Sequence, residues 1–556
     1  MTRASDGAAD AAPPREKKGG AFQRALDFIE RVGNKVPHPA ILFLALILIV
    51  IVLSQILYWA DVSATYEVVK PPAQSTEELD LGGSLPGEVL PAEPSQADDY
   101  EVVQETAEVR GLLTTDGVRH LFTSFVPNFM GFTAMGIILV VMIGVGVAEM
   151  SGLIASLIRK LVAISSAGAL TYIIVFIGVL SSIASDAGYL VLIPLGAAAF
   201  KSIGRHPLAG MAAAFAGVAG GFGVNLLITP LDAVLTEITN ESIHLVDPSL
   251  SISITANFWF GIVSAVLVTV LIAVVTRRVT EPRLGAYDAT LASPQNPAEG
   301  IDDAAEVTPE QDSRGLRQAG VLTLIAVAVI GLLTFLPGAP LRDPETGGII
   351  GTSPFMDSLV VLIAIIFLAA GVGYGRGTGT LKSATDVIGM VTKSWGNLAG
   401  LLFLFLLIAQ FIAYFNYSNI AQVAAVKLGD LLERVDIGPV WLLIIGMVIT
   451  FVVGIIMPQA IAKWALLAPI FIPLFLRLGI DPDAVLASYR VADSPINVVN
   501  PIMAYFPLIV VFASRWDKRS GIGTVIALMM PYFIVLTIGW TALFILWYLL
   551  GLPWGL

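Results

Sequence analysis

The chain has 556 residues, 56% of them hydrophobic and only 13% charged, with a mean hydropathy of +0.82. A soluble protein of this length would carry about 25% charge, so the composition excludes an ordinary soluble enzyme and points to a polytopic membrane protein. With no cysteine, disulfides and thiolate metal sites are excluded, and the net charge of −12 carries no signature of nucleic-acid binding.

Residues 1–36 read as a cytoplasmic arm containing Arg15, Lys17, Lys18, Arg24, Arg31 and Lys35. A full apolar span at 38–60 follows and runs directly into acidic sequence, which predicts an uncleaved first helix rather than a signal peptide. The segment 61–117 is rich in proline and holds 13 acidic residues against two basic ones, Lys70 and Arg110. It reads as an extracytoplasmic loop of unassigned fold. A second span at 120–149 leads into SGLIASLIRKLVAISS, an amphipathic helix suited to the membrane interface.

The stretch 165–203 has two apolar legs of about 16 residues, each reaching roughly 24 Å at 1.5 Å per residue, short of a hydrocarbon core of roughly 30 Å. Arg159 and Lys160 precede it and Lys201 and Arg205 follow it. Both ends therefore belong on one side, as in a re-entrant hairpin entering from the cytoplasm with SSIASDAG at its tip; two short complete crossings would satisfy the same flanks. Span three (208–239) is interrupted at GGFGVN, and span four (256–276) ends at Arg277, Arg278 and Arg283. A cytoplasmic loop, 277–317, precedes spans five (318–336) and six (354–374). Span seven (396–416), a second amphipathic interface helix, a second hairpin (438–478, entering from outside), span eight (484–513, broken around NVVNP) and span nine (522–550) complete the chain. The expected architecture is an all-α polytopic membrane protein with nine transmembrane helices and two re-entrant hairpins. Its lysines and arginines fall mostly on the side of the N-terminus, which the positive-inside rule makes cytoplasmic.

The two hairpins are related. Shifting the sequence by 275 residues aligns Ala187 with Ala462, Leu192 with Leu467, Pro194 with Pro469, Phe200 with Phe475 and Gly204 with Gly479. Pro207 then meets Pro482, Ala209 meets Ala484, Ala212 meets Ala487, Val224 meets Val499 and Asn225 meets Asn500. Span two enters from outside and span seven from inside, so the halves 118–276 and 395–550 form an inverted repeat. Paired interrupted hydrophobic segments of this kind point to the binding site of a secondary transporter.

Charge inside hydrocarbon is costly and marks a pathway or a partner. Asp186 lies at the first tip with Ser182 and Ser185, and reads as a proton or cation site or as a neutral acid capping a helix start. Arg490 and Asp493 are three residues apart and share a helix face. They either neutralise each other, or Arg490 receives a substrate carboxylate when Asp493 yields it. Asn225 and Asn500 occupy equivalent positions at the two breaks, with Asn497 beside the second, and an amide there suits a carboxylate or a desolvated ion. Trp464, next to Lys463, reads either as a stacking platform for an aromatic substrate or as hairpin packing. Asp232 and Glu237 are placed near the outer face and solvated. No GxxxxGK[ST] motif is present, so nothing supports ATP-driven transport.

The segments SDAGYLVLIPLGA, GRHPLAGMAAAFAGVAGG, AKWALLAPIFIPLF and YRVADSPINVVNPIMAYFPL resemble the AbgT family of p-aminobenzoyl-glutamate transporters, some members of which are described as sulfonamide exporters. The resemblance extends from about residue 20 to 550. It implies a bowl-shaped homodimer with nine spans and two hairpins per subunit, in the bacterial inner membrane. By resemblance, the residues matching functional positions are Asp186, Trp464, Pro482, Arg490, Asp493 and Pro501; Ile461 stands where the family often has a small hydroxyl residue. The expected activity is secondary transport of p-aminobenzoyl-glutamate or related aromatic and dicarboxylate anions. The expected substrate-binding set is Asn225, Trp464, Pro482, Arg490, Asp493, Asn497, Asn500 and Pro501, and the coupling-ion set is Asp186, Ser185, Asn225 and Asn500. No cofactor is expected beyond a coupling Na⁺ or H⁺. A sodium-coupled dicarboxylate symporter and an ion channel are the alternatives.

Overall fold

A segment in hydrocarbon has no water to satisfy its backbone, so the long apolar runs of this chain close their hydrogen bonds internally as helices. In the computed structural model the described residues are 39–70, 101–163, 166, 168–184, 188–292, 307–350, 353–435 and 438–556. The arm 1–36 expected to be cytoplasmic, the middle of the acidic loop, residues 293–306 of the loop 277–317, and Ser185 and Asp186 lie outside them.

Among the described residues nine helices are long and apolar enough to cross a membrane. Seven coincide with expected spans: Pro39–Trp59, Thr133–Met150, Phe258–Leu284, Pro309–Phe335, Leu359–Thr378, Ala399–Tyr417 and Ile522–Leu549. The other two, Pro439–Ile456 and Ala460–Arg477, are the legs of the second hairpin. Each leg is a full 18 residues, longer than the legs of the first hairpin, Leu170–Leu180 and Gly188–Ser202. Spans three and eight are absent from the nine because each is cut in two. Span two starts later than expected, since its first dozen residues form the short helices Thr115–Thr123 and Phe125–Met130.

The sequence reading left two elements unassigned. Ser63–Lys70 pairs antiparallel with Glu101–Glu108, from Ser63 opposite Glu108 to Lys70 opposite Glu101, making a two-stranded ribbon from the two ends of the acidic loop. Ala384–Asn397 is a helix with a full capping box, Ser383 and Asp386 exchanging side-chain and backbone hydrogen bonds.

Small residues set the closest helix approaches, as expected where lipid removes most of the hydrophobic drive for helices to associate. A Cβ on Gly144 would lie 2.0 Å from the Ala364 carbonyl oxygen, and one on Gly377 would lie 2.5 Å from Gly315 Cα. Gly371 and Gly373 meet Ala148 and Ala319 in the same way. These contacts lock Thr133–Met150, Leu359–Thr378 and Pro309–Phe335 into one unit. Asp312, in the first turn of Pro309–Phe335, accepts from Ser156 Oγ (2.5 Å) and Tyr374 Oη (2.6 Å), tying the amphipathic helix Leu153–Ala163 to that unit.

Just after the first hairpin His206 caps the helix Pro207–Phe215, its Nδ1 accepting from the Leu208 N–H at 3.3 Å. Only the neutral ring can accept there. Burial lowers the His206 pKa, with Asp517 and Glu281 opposing the shift. A histidine whose folded pKa lies below its unfolded value contributes stability above about pH 6.5 and loses it as the pH falls through the folded value. Wild-type melting temperature is therefore expected to drop between about pH 7.5 and about 5.5. His206→Asn keeps a capping oxygen but cannot titrate, and is expected to flatten that part of the profile. An unchanged profile in His206→Asn removes this assignment.

Candidate functional site

The site is built where the two broken spans cross. In the first, Pro207–Phe215 continues as a π-helical turn, Ala216–Gly220, and then stops; the chain runs as irregular backbone until Pro230–Ile243 resumes the helix. The glycines of AGGFG supply no side chains to fill the crossing, and Thr229 restarts the helix through a capping box. The Thr229 N–H and Oγ1 both donate to Asp232 Oδ2 at 2.7 Å, and the Asp232 N–H donates back to Thr229 Oγ1 at 3.3 Å. In the second, Pro482–Ile496 ends at Asn497, and Phe506–Trp516 follows after a second irregular stretch. Irregular backbone at such depth is tolerated where protein covers it. Here each break is covered by the other repeat.

Two hydrogen bonds strap the first break to the helix Pro482–Ile496, and a third within that helix joins them into a ring. The Gly223 N–H donates to Ser494 Oγ (2.9 Å), Ser494 Oγ donates to the Arg490 carbonyl (3.0 Å), and an Arg490 terminal nitrogen donates to the Gly223 carbonyl (3.2 Å). A Cβ on Gly223 would sit 2.4 Å from Ser494 Oγ, so only glycine permits this approach.

The charges do not pair as the sequence suggested. Arg490 and Asp493 share a helix, yet neither is the other's partner. Arg490 reaches across to Asp232 Oδ1 at 2.5 Å, while Asp493 is bound by the Lys463 ammonium of the second hairpin. Adjacent side chains on one helix diverge once each finds an opposite charge on a different neighbour. Asp232 is thus not a solvated outer-face residue: its side chain is 19% exposed and joins the two repeats. Its signal was present in the sequence as the Thr229-Pro-Leu-Asp232 capping pattern, which places Asp232 at a helix start, beside the break.

Two of the asparagines expected to meet a ligand, Asn225 and Asn500, hydrogen-bond within the fold in this conformation. Asn225 Nδ2 donates to the Leu180 carbonyl (3.2 Å) and Ser182 Oγ (3.0 Å), and its Oδ1 accepts from the N–H groups of Leu226 and Leu227. Asn500 Nδ2 donates to the Gly454 carbonyl (2.9 Å), and its Oδ1 accepts from the Ile502 N–H. Each break therefore uses its asparagine in the same way, to hold the end of its own hairpin's first leg. Pro482 lies in the first turn of its helix, Pro501 follows the Asn500 turn, and Asn497 is buried with Oδ1 unpartnered. Trp464 is fully buried, its indole N–H donating to Thr239 Oγ1 (3.0 Å) and its ring 4.5 Å from that of Tyr489. In this conformation the indole packs the hairpin against Pro230–Ile243, with no face open for stacking.

The repeat extends to these contacts. Lys463 and Asp493 correspond, 275 residues back, to Gly188 and Val218, and a Cβ on Gly188 would lie 3.0 Å from Val218 Cγ1. Both halves thus juxtapose the same positions. One fills them with a glycine and a valine, the other with a buried ion pair.

Beside the crossing a cleft is lined by Gly223, Asn225, Asp232, Asn257, Phe258 and Arg490, among others. It brings together a guanidinium and a carboxylate from different repeats, an amide and an aromatic ring. Among the described residues no group of three or more His, Asp or Glu could hold a metal ion.

The sequence matches, over residues 24–556, the family described as "AbgT putative transporter family". The chain belongs to the AbgT transporter family. This AbgT transporter is 31% identical over 528 residues to the p-aminobenzoyl-glutamate transport protein of Escherichia coli (strain K12), a match spanning 95% of each chain. Its fold is similar to that of the Alcanivorax borkumensis YdaH transporter, whose topology is described as unusual, with a TM-score of 0.81 and 40% identity over 94% of this chain and 100% of that one. It is also similar to Neisseria gonorrhoeae MtrF, described as one of a class of antimetabolite efflux pumps, with a TM-score of 0.79 and 36% identity over 94% and 97% of the two chains. The family and these relatives are transporters, not enzymes.

Proposed function

We infer that this AbgT transporter moves p-aminobenzoyl-glutamate or related aromatic and dicarboxylate anions, with sulfonamides as a further cargo. A proton or sodium gradient would drive it, in the bacterial inner membrane, as a homodimer with a cytoplasmic N-terminus. The observation that carries this reading is Arg490. A guanidinium 6% exposed lies at the crossing of two broken helices, its Nε–H without an acceptor, beside a cleft. Its internal partner Asp232 already shares its other oxygen with the Thr229 cap, so a substrate carboxylate can take over the guanidinium while the aspartate stays hydrogen-bonded. The name of the Escherichia coli relative supplies the cargo to test first.

Coupling would fall to Asp186, with Ser185, Asn225 and Asn500 as the other members of the expected coupling-ion set. A carboxyl in a hairpin without a basic neighbour is a proton or Na⁺ carrier by the logic of desolvation. The test is counterflow of labelled p-aminobenzoyl-glutamate in proteoliposomes, with Na⁺ and pH imposed separately. Asp186→Asn is expected to keep exchange down a substrate gradient and to lose accumulation against one. Accumulation equal to wild type would remove Asp186 from the coupling role, and absence of wild-type counterflow would remove the cargo.

A further inference from the structure

Two residues that line the cleft each carry a buried polar atom without a partner, and the two atoms are complementary. Arg490 Nε–H is a donor without an acceptor, and Asn257 Oδ1 is an acceptor without a donor. Both residues are more than nine-tenths buried, at 6% and 8% exposure, and both line the same cleft. The orientation of the Asn257 amide is fixed. Its Nδ2 donates to the carbonyls of Ala256 (3.1 Å) and Asp483 (2.9 Å), which leaves the oxygen as the free end. Asn225, the other amide in the lining, has both ends satisfied, and the unpartnered Oδ1 of Asn497 belongs to a residue outside the lining described for this cleft.

A buried acceptor left unpaired is costly, so a ligand that fills the cleft favourably brings it a hydrogen. A ligand that serves both atoms carries a carboxylate next to an N–H, as an N-acyl α-amino acid does. We propose that Asn257 is a specificity-determining residue of this transporter: its Oδ1 accepts the amide N–H of an N-acyl amino acid whose carboxylate lies on Arg490, and Phe258 flanks the acyl group. The assignment rests on the cargo inferred above. It also separates that cargo from plain dicarboxylates, which can satisfy Arg490 but leave Asn257 unpaired. A site built to bond an N–H rejects the analogue lacking it far more strongly than a size-selective pocket rejects a close homologue.

The probe is the ester isostere of p-aminobenzoyl-glutamate, in which oxygen replaces the amide N–H, used as a competitor of labelled p-aminobenzoyl-glutamate uptake in proteoliposomes. In wild type, half-inhibition by the ester is expected at about 10- to 100-fold higher concentration than by the unlabelled amide. Asn257→Leu, similar in shape but with no acceptor, is expected to bring that ratio close to one. Asn257→Ser, which keeps an oxygen acceptor, is expected to fall between. A merely structural asparagine would weaken both compounds alike and leave the ratio unchanged. The proposal is overturned if wild type treats amide and ester equally, or if Asn257→Leu keeps the wild-type ratio. Should Asn257→Leu fail to reach the membrane, the wild-type ratio and Asn257→Ser decide. Amide transport without discrimination sinks Asn257 alone, whereas no amide transport in wild type sinks the cargo and this assignment with it.

Discussion

Arg490→Ala is expected to lower affinity for a carboxylate substrate by about 100-fold or more and to abolish measurable transport, since hydrogen bonds to charged groups each contribute about 1.5–3 kcal/mol. The substitution has a second effect. Asp232 loses its cation and is left partly buried beside the break, and stranding one member of a buried pair costs about 3–5 kcal/mol. Three further variants separate the two effects. Arg490→Lys keeps a positive charge opposite Asp232 but replaces the planar fork and its Nε–H by a compact ammonium. It should recover stability and regain only weak transport. Asp232→Asn in wild type frees Arg490 from an internal competitor, so it should retain substrate binding. Combining Asp232→Leu with Arg490→Met removes both charges and should restore the melting temperature without restoring binding. Binding to purified protein and thermal unfolding are the measurements. Wild-type affinity in Arg490→Ala would end the assignment of Arg490 to the substrate.

How far the sequence carried these conclusions depends on whether a feature is written in local order or in contacts. Apolar runs, paired proline and glycine interruptions and the 275-residue shift are local, so the helices, both breaks and the relation between the halves were legible. Partner choice was not. Arg490 and Asp493 lie three apart in sequence, and Lys463 and Asp232 lie 30 and 258 residues from the acid and the base they actually meet. Only the packing of three separate elements decides such pairs. Asn225 and Asn500 were seen as equivalent, and each holds the end of its own hairpin's first leg, but an asparagine at a break can bind a ligand or tie down backbone, and local order alone does not distinguish the two. Asn257 carried no pattern at all: it sits at an ordinary helix start, and its free oxygen emerges only from where Asp483 lies. The ribbon Ser63–Lys70 with Glu101–Glu108 escaped because its strands are separated by a long acidic insertion, so neither turn chemistry nor spacing announced the pair.

The Lys463–Asp493 pair yields the other large effect. Lys463 is 0% exposed and Asp493 2%, so neither charge has water to fall back on. The ammonium lies so close to Gly454 that a Cβ there would come within 3.0 Å of Nζ, and Asn500 holds the Gly454 carbonyl from the other side. Lys463→Met and Asp493→Asn are each expected to destabilise by about 3–5 kcal/mol, because each leaves a buried charge uncompensated. The first repeat shows what the same positions look like without charge, as Gly188 facing Val218 so closely that a Cβ on the glycine would come 3.0 Å from Val218 Cγ1. Replacing a buried pair with apolar residues of similar volume is often neutral or stabilising. Lys463→Met combined with Asp493→Val should therefore recover most of the stability lost in either single variant. If the pair serves only to hold the second hairpin against its broken helix, that double variant will also transport as wild type does. We expect it to fold and not to transport, because a charge pair retained where the related half manages with glycine and valine is there to be broken during the cycle. Full uptake by a stable double variant would assign Lys463 and Asp493 to the scaffold and leave Arg490 with Asp232 as the pair that answers to substrate.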